Sequence, residues 1–537
     1  MTRDAAKYAY IAKEISENNH WFRLTIMGEP YNQKPQLLFW LSAISFKIFG
    51  TSNFTYKLPI FLYSLLGCFF TFKLGESLYN KKTGLITALI SLLSVIFLLY
   101  NMDIHTDTVL FTNTALSLWM LHKYLKHGKI PFLIGSGVAL GLSVLTKGTF
   151  GVFMPFVSAV AYLLSKRKFS KLLIRDFFIG VLIILAVSLA AIIPFYAENG
   201  FKGVWFFLWG NNFGRIAGRY GGVSTDYFFY IHNILYLTLP WGIFLLSGMF
   251  YFTRDLIRKK FTPDDHFVFW GFAFFFLLLS ISKNKLPNYI ISALPLLSII
   301  ASKGWEEIVG KEKNRIIALH RVVLFLFISL IFIIPVLILQ TDNTILWGIL
   351  YITAILGFLL VRAGSTEKTL LLKTMFSMLV IALFFDLYLS PKLFNLQGAP
   401  ETAKIIDENS TKEEKVYYLR PDDIEDRDSL LKICNSSDDK FAEVLTKLHF
   451  YRNYELMFYC QKKITYIEKI EQIPDIISNG KAWIYTDSTG MSKLEQLIPD
   501  DVSVTAIPNF DLKNPIKYMN PKSREKSINN MYLVHLE

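Results

Sequence analysis

Phe267-Val-Phe-Trp-Gly-Phe-Ala-Phe-Phe-Phe-Leu-Leu-Leu279 runs on without a single charge. A helix in a soluble core keeps a polar face, and this run has none. Such a stretch suits the bilayer interior, where about 20 apolar residues span the hydrocarbon and a helix satisfies its own backbone polar groups. Working outward, similar runs lie at about 56–75, 84–101, 108–121, 130–146, 150–164, 173–195, 228–250, 266–281, 287–302, 318–339, 345–361 and 369–390. Beyond residue 395 charged residues dominate. The chain is 53% apolar and 18% charged, with mean hydropathy +0.37. The pattern predicts a polytopic α-helical membrane protein of about 12 transmembrane or re-entrant helices with a carboxy-terminal soluble α/β domain. The run 108–121 and the pair around 147 are short, as tilted or re-entrant helices would be.

Three segments follow: 1–55, an outer-face loop with an amphipathic juxtamembrane helix; 56–390, the multi-helix transmembrane domain; and 391–537, a soluble extracytoplasmic α/β domain. Residues 3–17 carry the amphipathic pattern, with Ala9, Ile11, Ala12 and Ile15 near one face. In the tail, Lys415–Arg420, Ala482–Tyr485, Val502–Ile507 and Met531–Leu536 read as strands. Ser429–Cys434 and Lys493–Leu497 read as helical. Cys68 reads as a small hydrophobe. Cys434 and Cys460 could pair in an oxidising compartment, and their spacing fits no metal motif.

The net charge of +13 is unevenly spread. One set of loops carries Lys81, Lys82; Lys123, Lys126, Lys129; Lys166, Arg167, Lys168, Lys171, Arg175; Arg254, Arg258, Lys259, Lys260; Lys303, Lys311, Lys313, Arg315; and Arg362, Lys368. The alternate set carries Lys147, Lys202, Arg215, Arg219, Lys283 and Lys285. About 20 against about 6 assigns the first set to the cytoplasm. The basic balance is therefore topology rather than a nucleic-acid footprint, and no nucleic-acid partner is expected.

The outer turns hold the chemistry-bearing residues. Asp4 opens the amphipathic helix, with Lys7 and Tyr8 one turn on; as an early helical Asp it could simply be a cap. Asn101-Met-Asp-Ile-His-Thr-Asp107 places Asp103 and Asp107 four apart, on one face if helical. Asp107 could cap the following helix, yet two carboxylates at a membrane boundary are costly to leave idle. Gly28-Glu-Pro-Tyr-Asn-Gln-Lys34-Pro-Gln36 is a Pro-bracketed turn whose Lys34 could merely snorkel. Leu145-Thr-Lys147-Gly-Thr-Phe-Gly151, Gly210-Asn-Asn-Phe-Gly-Arg215 and Ser282-Lys-Asn-Lys285-Leu-Pro-Asn-Tyr289 add cations, each a weak signal alone. Together, carboxylates and cations at one membrane face suit group transfer from a polyprenyl phosphate. Carboxylates can deprotonate an acceptor hydroxyl, and cations can hold a phosphate as it departs.

At these same residues the chain resembles the lipid-phosphate-sugar-dependent transferases of the C-type glycosyltransferase superfamily. The nearest branch is the bacterial aminoarabinose transferase of lipid A modification, related to protein O-mannosyltransferases. The matching elements are Asp4, Lys7, Tyr8 and Ala9; Gly28 through Gln36; Leu145–Gly148; Leu239-Pro-Trp241; and Lys285–Ile290. They cover, in order, most of residues 1–300. The resemblance implies a bacterial inner-membrane enzyme that moves a sugar, with inversion, from an undecaprenyl-phosphate-type donor to a lipid, glycan or protein acceptor on the outer face. It gives Asp4 and Asp107, with Asp103 as the alternative, to catalysis. Lys34, Lys7, Tyr8, Arg215, Lys147, Lys285 and Tyr289 go to the donor phosphate.

Three departures accompany it. Gln33 stands where relatives often carry Glu, so a divalent metal is not assigned. Asn211 and Asn212 replace an acidic residue and a His, which leaves the acceptor open. Relatives also have a transmembrane helix before the first acid, and that helix would precede Asp4. The competing classes are a polytopic transporter or lipid flippase, expected to show repeats and midplane charges, and a surface-polysaccharide polymerase or ligase.

Overall fold

The computed structural model describes the chain outside residues 168–170, 219–223, 339–342, 423, 425–451, 500, 511–517, 519 and 537, and the backbone alone of 171–173 and 199. It divides into two compact units. One comprises residues 1–10, 331–348 and 383–537, the other 11–330 and 349–382.

The chain is a mostly helical, polytopic membrane protein. Among the described residues six helices are long and apolar enough to cross a membrane: Asn53–Leu78, Ile130–Lys147, Ile174–Glu198, Pro263–Ile281, Asn314–Ile338 and Thr366–Phe394. A seventh span is counted if Lys81–Leu92 and Val95–Met102, bent by 48° at their break, are one. The opening run Phe267–Leu279 lies inside Pro263–Ile281, whose start is fixed by a capping box between Thr262 and Asp265.

The second unit begins with most of helix α1 (Arg3–Asn18), the two-residue strands β1 (Thr25–Ile26) and β2 (Glu29–Pro30), and α2 (Leu37–Phe49). Then come α3 (Asn53–Leu78), α4 (Lys81–Leu92), α5 (Val95–Met102), α6 (Thr106–His127), α7 (Ile130–Lys147), α8 (Phe150–Lys166) and α9 (Lys171–Trp205). The apolar run expected at 84–101 is the broken pair α4–α5. Its exposed backbone is repaired by the Leu239-Pro-Trp turn: the Trp241 indole donates to Leu93 O at 3.0 Å, and Val95 N–H donates to Leu239 O at 2.9 Å. In an apolar surrounding those groups would otherwise stay unsatisfied, which gives that motif a structural task. The same turn divides the run expected at 228–250 into α10 (Phe229–Leu237) and α11 (Gly242–Ile257). Helices α12 (Pro263–Ile281) and α13 (Leu294–Ile308) follow, and a 3₁₀ turn, Pro287–Ala293, leads into α13.

In the first unit a five-stranded sheet has the order β4-β3-β5-β7-β6. Its strands are β3 (Lys415–Leu419), β4 (Ile464–Tyr466), β5 (Ala482–Thr486), β6 (Ser503–Phe510) and β7 (Ile528–Leu536). Strand β3 runs parallel to β4 and β5, and β7 runs antiparallel to β5 and β6. Central β5 is buried along its whole length, as a strand covered on both faces should be. The four expected strands are present; β4, only three residues long, carried too little pattern to be read. The helix expected at Lys493–Leu497 instead spans Ser488–Leu494, because the Asp487 side chain caps it through Gly490 N–H. The expected helix Ser429–Cys434, and with it Cys434, lies outside the described residues; the Cys460 thiol donates to Asp407 Oδ1 at 3.5 Å.

Glu414 ties this sheet together. Its burial opposes ionisation, but His535 at 3.0 Å, Thr411 N–H at 2.7 Å and Trp483 at 3.2 Å outweigh that and hold the carboxyl below its usual range. A lowered folded-state pKa gives stability that is present above the unfolded value, about 4.3, and is lost as pH falls through the folded one. The melting temperature of the full chain should therefore exceed that of Glu414→Gln near pH 6. The gap should close as the solution is acidified below about pH 4, and a gap independent of pH would contradict this.

Candidate functional site

In the second unit the rim is built from turns that the sequence makes rigid. Strands β1 and β2 form a hairpin with Met27 and Gly28 at its tip, at φ 56° and 81°. Two consecutive left-handed residues match the twist of a tight hairpin, which explains Gly28. The buried Glu14 carboxylate pins this hairpin, accepting from Thr25 Oγ1 at 2.7 Å and from Met27 N–H at 2.6 Å. Glu14 carried no signal in the sequence, because its partners lie more than ten residues away. The hairpin delivers Lys34, just ahead of α2, to a narrow cleft. Lys147, Asn211, Asn212, Arg215 and Tyr289 line the same cleft.

Lys147 is the last residue of α7, followed by Gly148 at φ 74°. Its ammonium pairs with Asp107 and lies 3.8 Å from the centroid of the Tyr289 ring. Asp107 is in the first turn of α6, where no side-chain cap is made. One of its oxygens takes the Lys147 ammonium, and the other accepts from Asn288 Nδ2 at 2.7 Å. With 2% and 9% of their side chains exposed, Asp107 is buried and Lys147 nearly so. Of the two readings the sequence left open, hydrogen-bond capping by Asp107 is not what the geometry shows. The carboxylate fixes a lysine.

Arg215 follows a π-helical segment, Phe206–Gly214. Its Nε donates to Asn211 Oδ1 at 2.9 Å, and Nη1 lies 3.4 Å from the Tyr289 hydroxyl. Asn211 in turn donates to the Gln33 carbonyl at 2.6 Å. Asn211 thus joins the Arg215 segment to the backbone of the Lys34 turn. An acid at position 211 could not donate to that carbonyl when ionised. Asn288 and Asn211 are the residues that sequence reasoning missed as ligands of the charged groups. Both stood in quoted motifs, but an Asn carries no charge to draw notice.

The remaining expected site residues lie elsewhere. Lys285 turns away from the cleft, donating to Ser224 O at 3.3 Å and lying 5.4 Å from the Tyr227 ring centroid. Asp103 closes α5 and lies 3.2 Å from His105 Nε2. In the first unit Asp4 pairs with Lys7 at 2.8 Å, with the Asp4 side chain 52% exposed and that of Lys7 8%. Tyr8 is buried, 5.5 Å from the Lys7 ammonium by its ring centroid. Among the described residues no three His, Cys, Asp or Glu side chains gather as metal ligands would. Both Asp107 oxygens already have partners.

Residues 33–196 match a family profile described as dolichyl-phosphate-mannose-protein mannosyltransferase. Over its length the structure superimposes on ArnT from Cupriavidus metallidurans bound to undecaprenyl phosphate. The TM-score is 0.74 at 16% identity, covering 99% of this chain and 94% of that one. This chain has the ArnT fold. In sequence it is 26% identical over 330 residues to the undecaprenyl phosphate-alpha-4-amino-4-deoxy-L-arabinose arabinosyl transferase of Wigglesworthia glossinidia brevipalpis, covering 60% of this chain and 57% of that protein. A similarly named transferase of Proteus mirabilis is 25% identical over 346 residues, 63% and 61% of the two chains. The chain therefore spans about three fifths of the curated relatives it matches. The resemblance to the C-type lipid-phosphate-sugar transferases, drawn from the outer-turn motifs, holds.

Proposed function

We propose that this protein is an inverting membrane glycosyltransferase that moves one sugar from an undecaprenyl-phosphate-type donor to a hydroxyl of a lipid, glycan or protein acceptor. The observation that carries the reading is the convergence of Lys34, Lys147 and Arg215 with the Tyr289 phenol on one cleft. Three cations in a partly dry site suit a lipid phosphate bound in the ground state. They suit it better as the glycosidic C–O bond breaks and the phosphate gains charge. The names of the similar transferases support the donor class.

In the reaction the acceptor oxygen attacks the anomeric carbon from the face opposite the phosphate. The bond to the phosphate oxygen breaks, the electron pair leaves with the phosphate, and the hydroxyl proton passes to a carboxylate. Asp4 is assigned that carboxylate from its motif. Asp107 serves as a positioning residue, because both its oxygens are engaged. Asp103 is the alternative acid, and Lys285, which turns away from the cleft, is given no part in holding the phosphate. The topology belongs to the same proposal: twelve crossings, residues 56–390 in the inner membrane, and 1–55 and 391–537 on the extracytoplasmic side by the positive-inside rule.

Mass spectrometry of lipids and glycoconjugates from cells with and without the gene tests the function. Loss of the gene should make one polyprenyl-phosphate sugar accumulate and strip that sugar from one acceptor. Unchanged carriers and acceptors would overturn the proposal.

A further inference from the structure

Helix α8 separates two apolar clefts, of about 790 Å³ and about 620 Å³. The larger is walled by α6, α7 and α9, the smaller by α12; Phe156 and Val160 of α8 line both, while Leu163 faces the first and Leu164 the second. Each lies in the size range of a site for a small organic molecule. The larger cleft has one buried acid, Asp176, and it is neutralised in place: the Tyr124 hydroxyl donates at 2.5 Å and the Arg175 guanidinium pairs at 2.8 Å. The α8 partition ends in Lys166 and Arg167, both exposed. A helix carboxyl end by itself repels anions. Here the Arg167 N–H closes the Leu163 and Leu164 carbonyls, and two full positive charges stand beside them.

We propose that one anionic glycerophospholipid straddles α8, with an acyl chain in each cleft and its headgroup phosphate against Lys166 and Arg167. Two clefts sharing one wall match a lipid with two chains. A polyprenyl phosphate has one chain and would leave a cleft open. The two adjacent cations select an anionic over a zwitterionic headgroup, as polybasic segments at a membrane surface do. This site is separate from the Lys34 cleft and shares no residue with it.

The test is native mass spectrometry of the full chain titrated with phosphatidylglycerol, phosphatidylethanolamine or undecaprenyl phosphate. One phosphatidylglycerol should be retained about 5-fold or more over phosphatidylethanolamine, and that preference should fall below about 2-fold in Lys166→Gln/Arg167→Gln. These are exposed positions whose exchange leaves the core intact. Val160→Trp, which intrudes on both clefts, should lower retention of either phospholipid while leaving the headgroup preference. Equal retention of the two phospholipids by the unaltered chain, or a preference unchanged in the double variant, would overturn the proposal. So would displacement of phosphatidylglycerol by equimolar undecaprenyl phosphate.

Discussion

Asp107→Asn is expected to lower the proposed sugar transfer by about 100-fold or more, because it strands a lysine in the cleft proposed for the donor phosphate. Breaking a buried ion pair by removing one partner costs about 3–5 kcal/mol, which is itself about 100-fold or more as an equilibrium factor. Lys147 is 9% exposed and would no longer be held against the Tyr289 ring. The cleft then loses a fixed positive charge. Reduced stability alone could imitate this loss, and Asp107→Asn/Lys147→Gln separates the two causes. The double variant carries no stranded charge, so its melting temperature should recover towards that of the unaltered protein while transfer stays low. If activity recovers together with stability, Asp107 serves the fold and not the site. Asn288→Leu removes the 2.7 Å bond to the other Asp107 oxygen and should cost a smaller factor, about 10-fold, in line with a hydrogen bond to a charged group.

Gly304→Leu is expected to prevent accumulation of folded protein. A Cβ added at Gly304 would stand 1.9 Å from Phe244 O, and one added at Gly248 would stand 1.9 Å from Ile300 O. The backbones of α11 and α13 therefore touch through two glycines. Close approach of this kind is how helices pack in a membrane, where burial of apolar surface gives no preference for protein over lipid. Overpacking a core costs about 1–3 kcal/mol when side chains can yield, but carbonyl groups of a neighbouring helix cannot. The penalty should exceed that range and consume much of the roughly 5–15 kcal/mol that stabilises a domain. Gly348→Ala is the control, since a Cβ there meets nothing within 4 Å. Fluorescence-detected size exclusion of tagged protein in detergent reads both. A monodisperse Gly304→Leu peak of normal height would refute the packing argument.

Much of this molecule is legible because its strongest signals are local. The uninterrupted apolarity of Phe267–Leu279 needs no partner to be read. The run of strand-forming residues in Met531–Leu536 and the cations in short turns are equally local. Glu14 and Asn288 were not legible, because each acts across a distance in the chain that no spacing rule covers; the same holds for the Asn211 bond to the Gln33 carbonyl, though not for its i, i+4 bond to Arg215. Asp107 lies between these cases. Its position at a helix start suggested a cap or a base, and only the partners on both oxygens show it holding Lys147. The break at Leu93 was hidden for the opposite reason, since α4 and α5 are both apolar and read as one run until Trp241 is seen to fill the gap.

The central claim is that the cleft of Lys34, Lys147, Arg215 and Tyr289 holds the phosphate of a polyprenyl carrier. Equilibrium binding of undecaprenyl phosphate to the purified full chain tests it most directly. The unaltered protein should bind saturably, and Lys34→Ala and Arg215→Ala should each weaken binding about 10-fold or more, the loss of a charge-assisted contact of about 1.5–3 kcal/mol. Lys285→Ala, whose side chain turns away from the cleft, should leave binding within about 2-fold. Equal affinity in all four proteins would contradict the account.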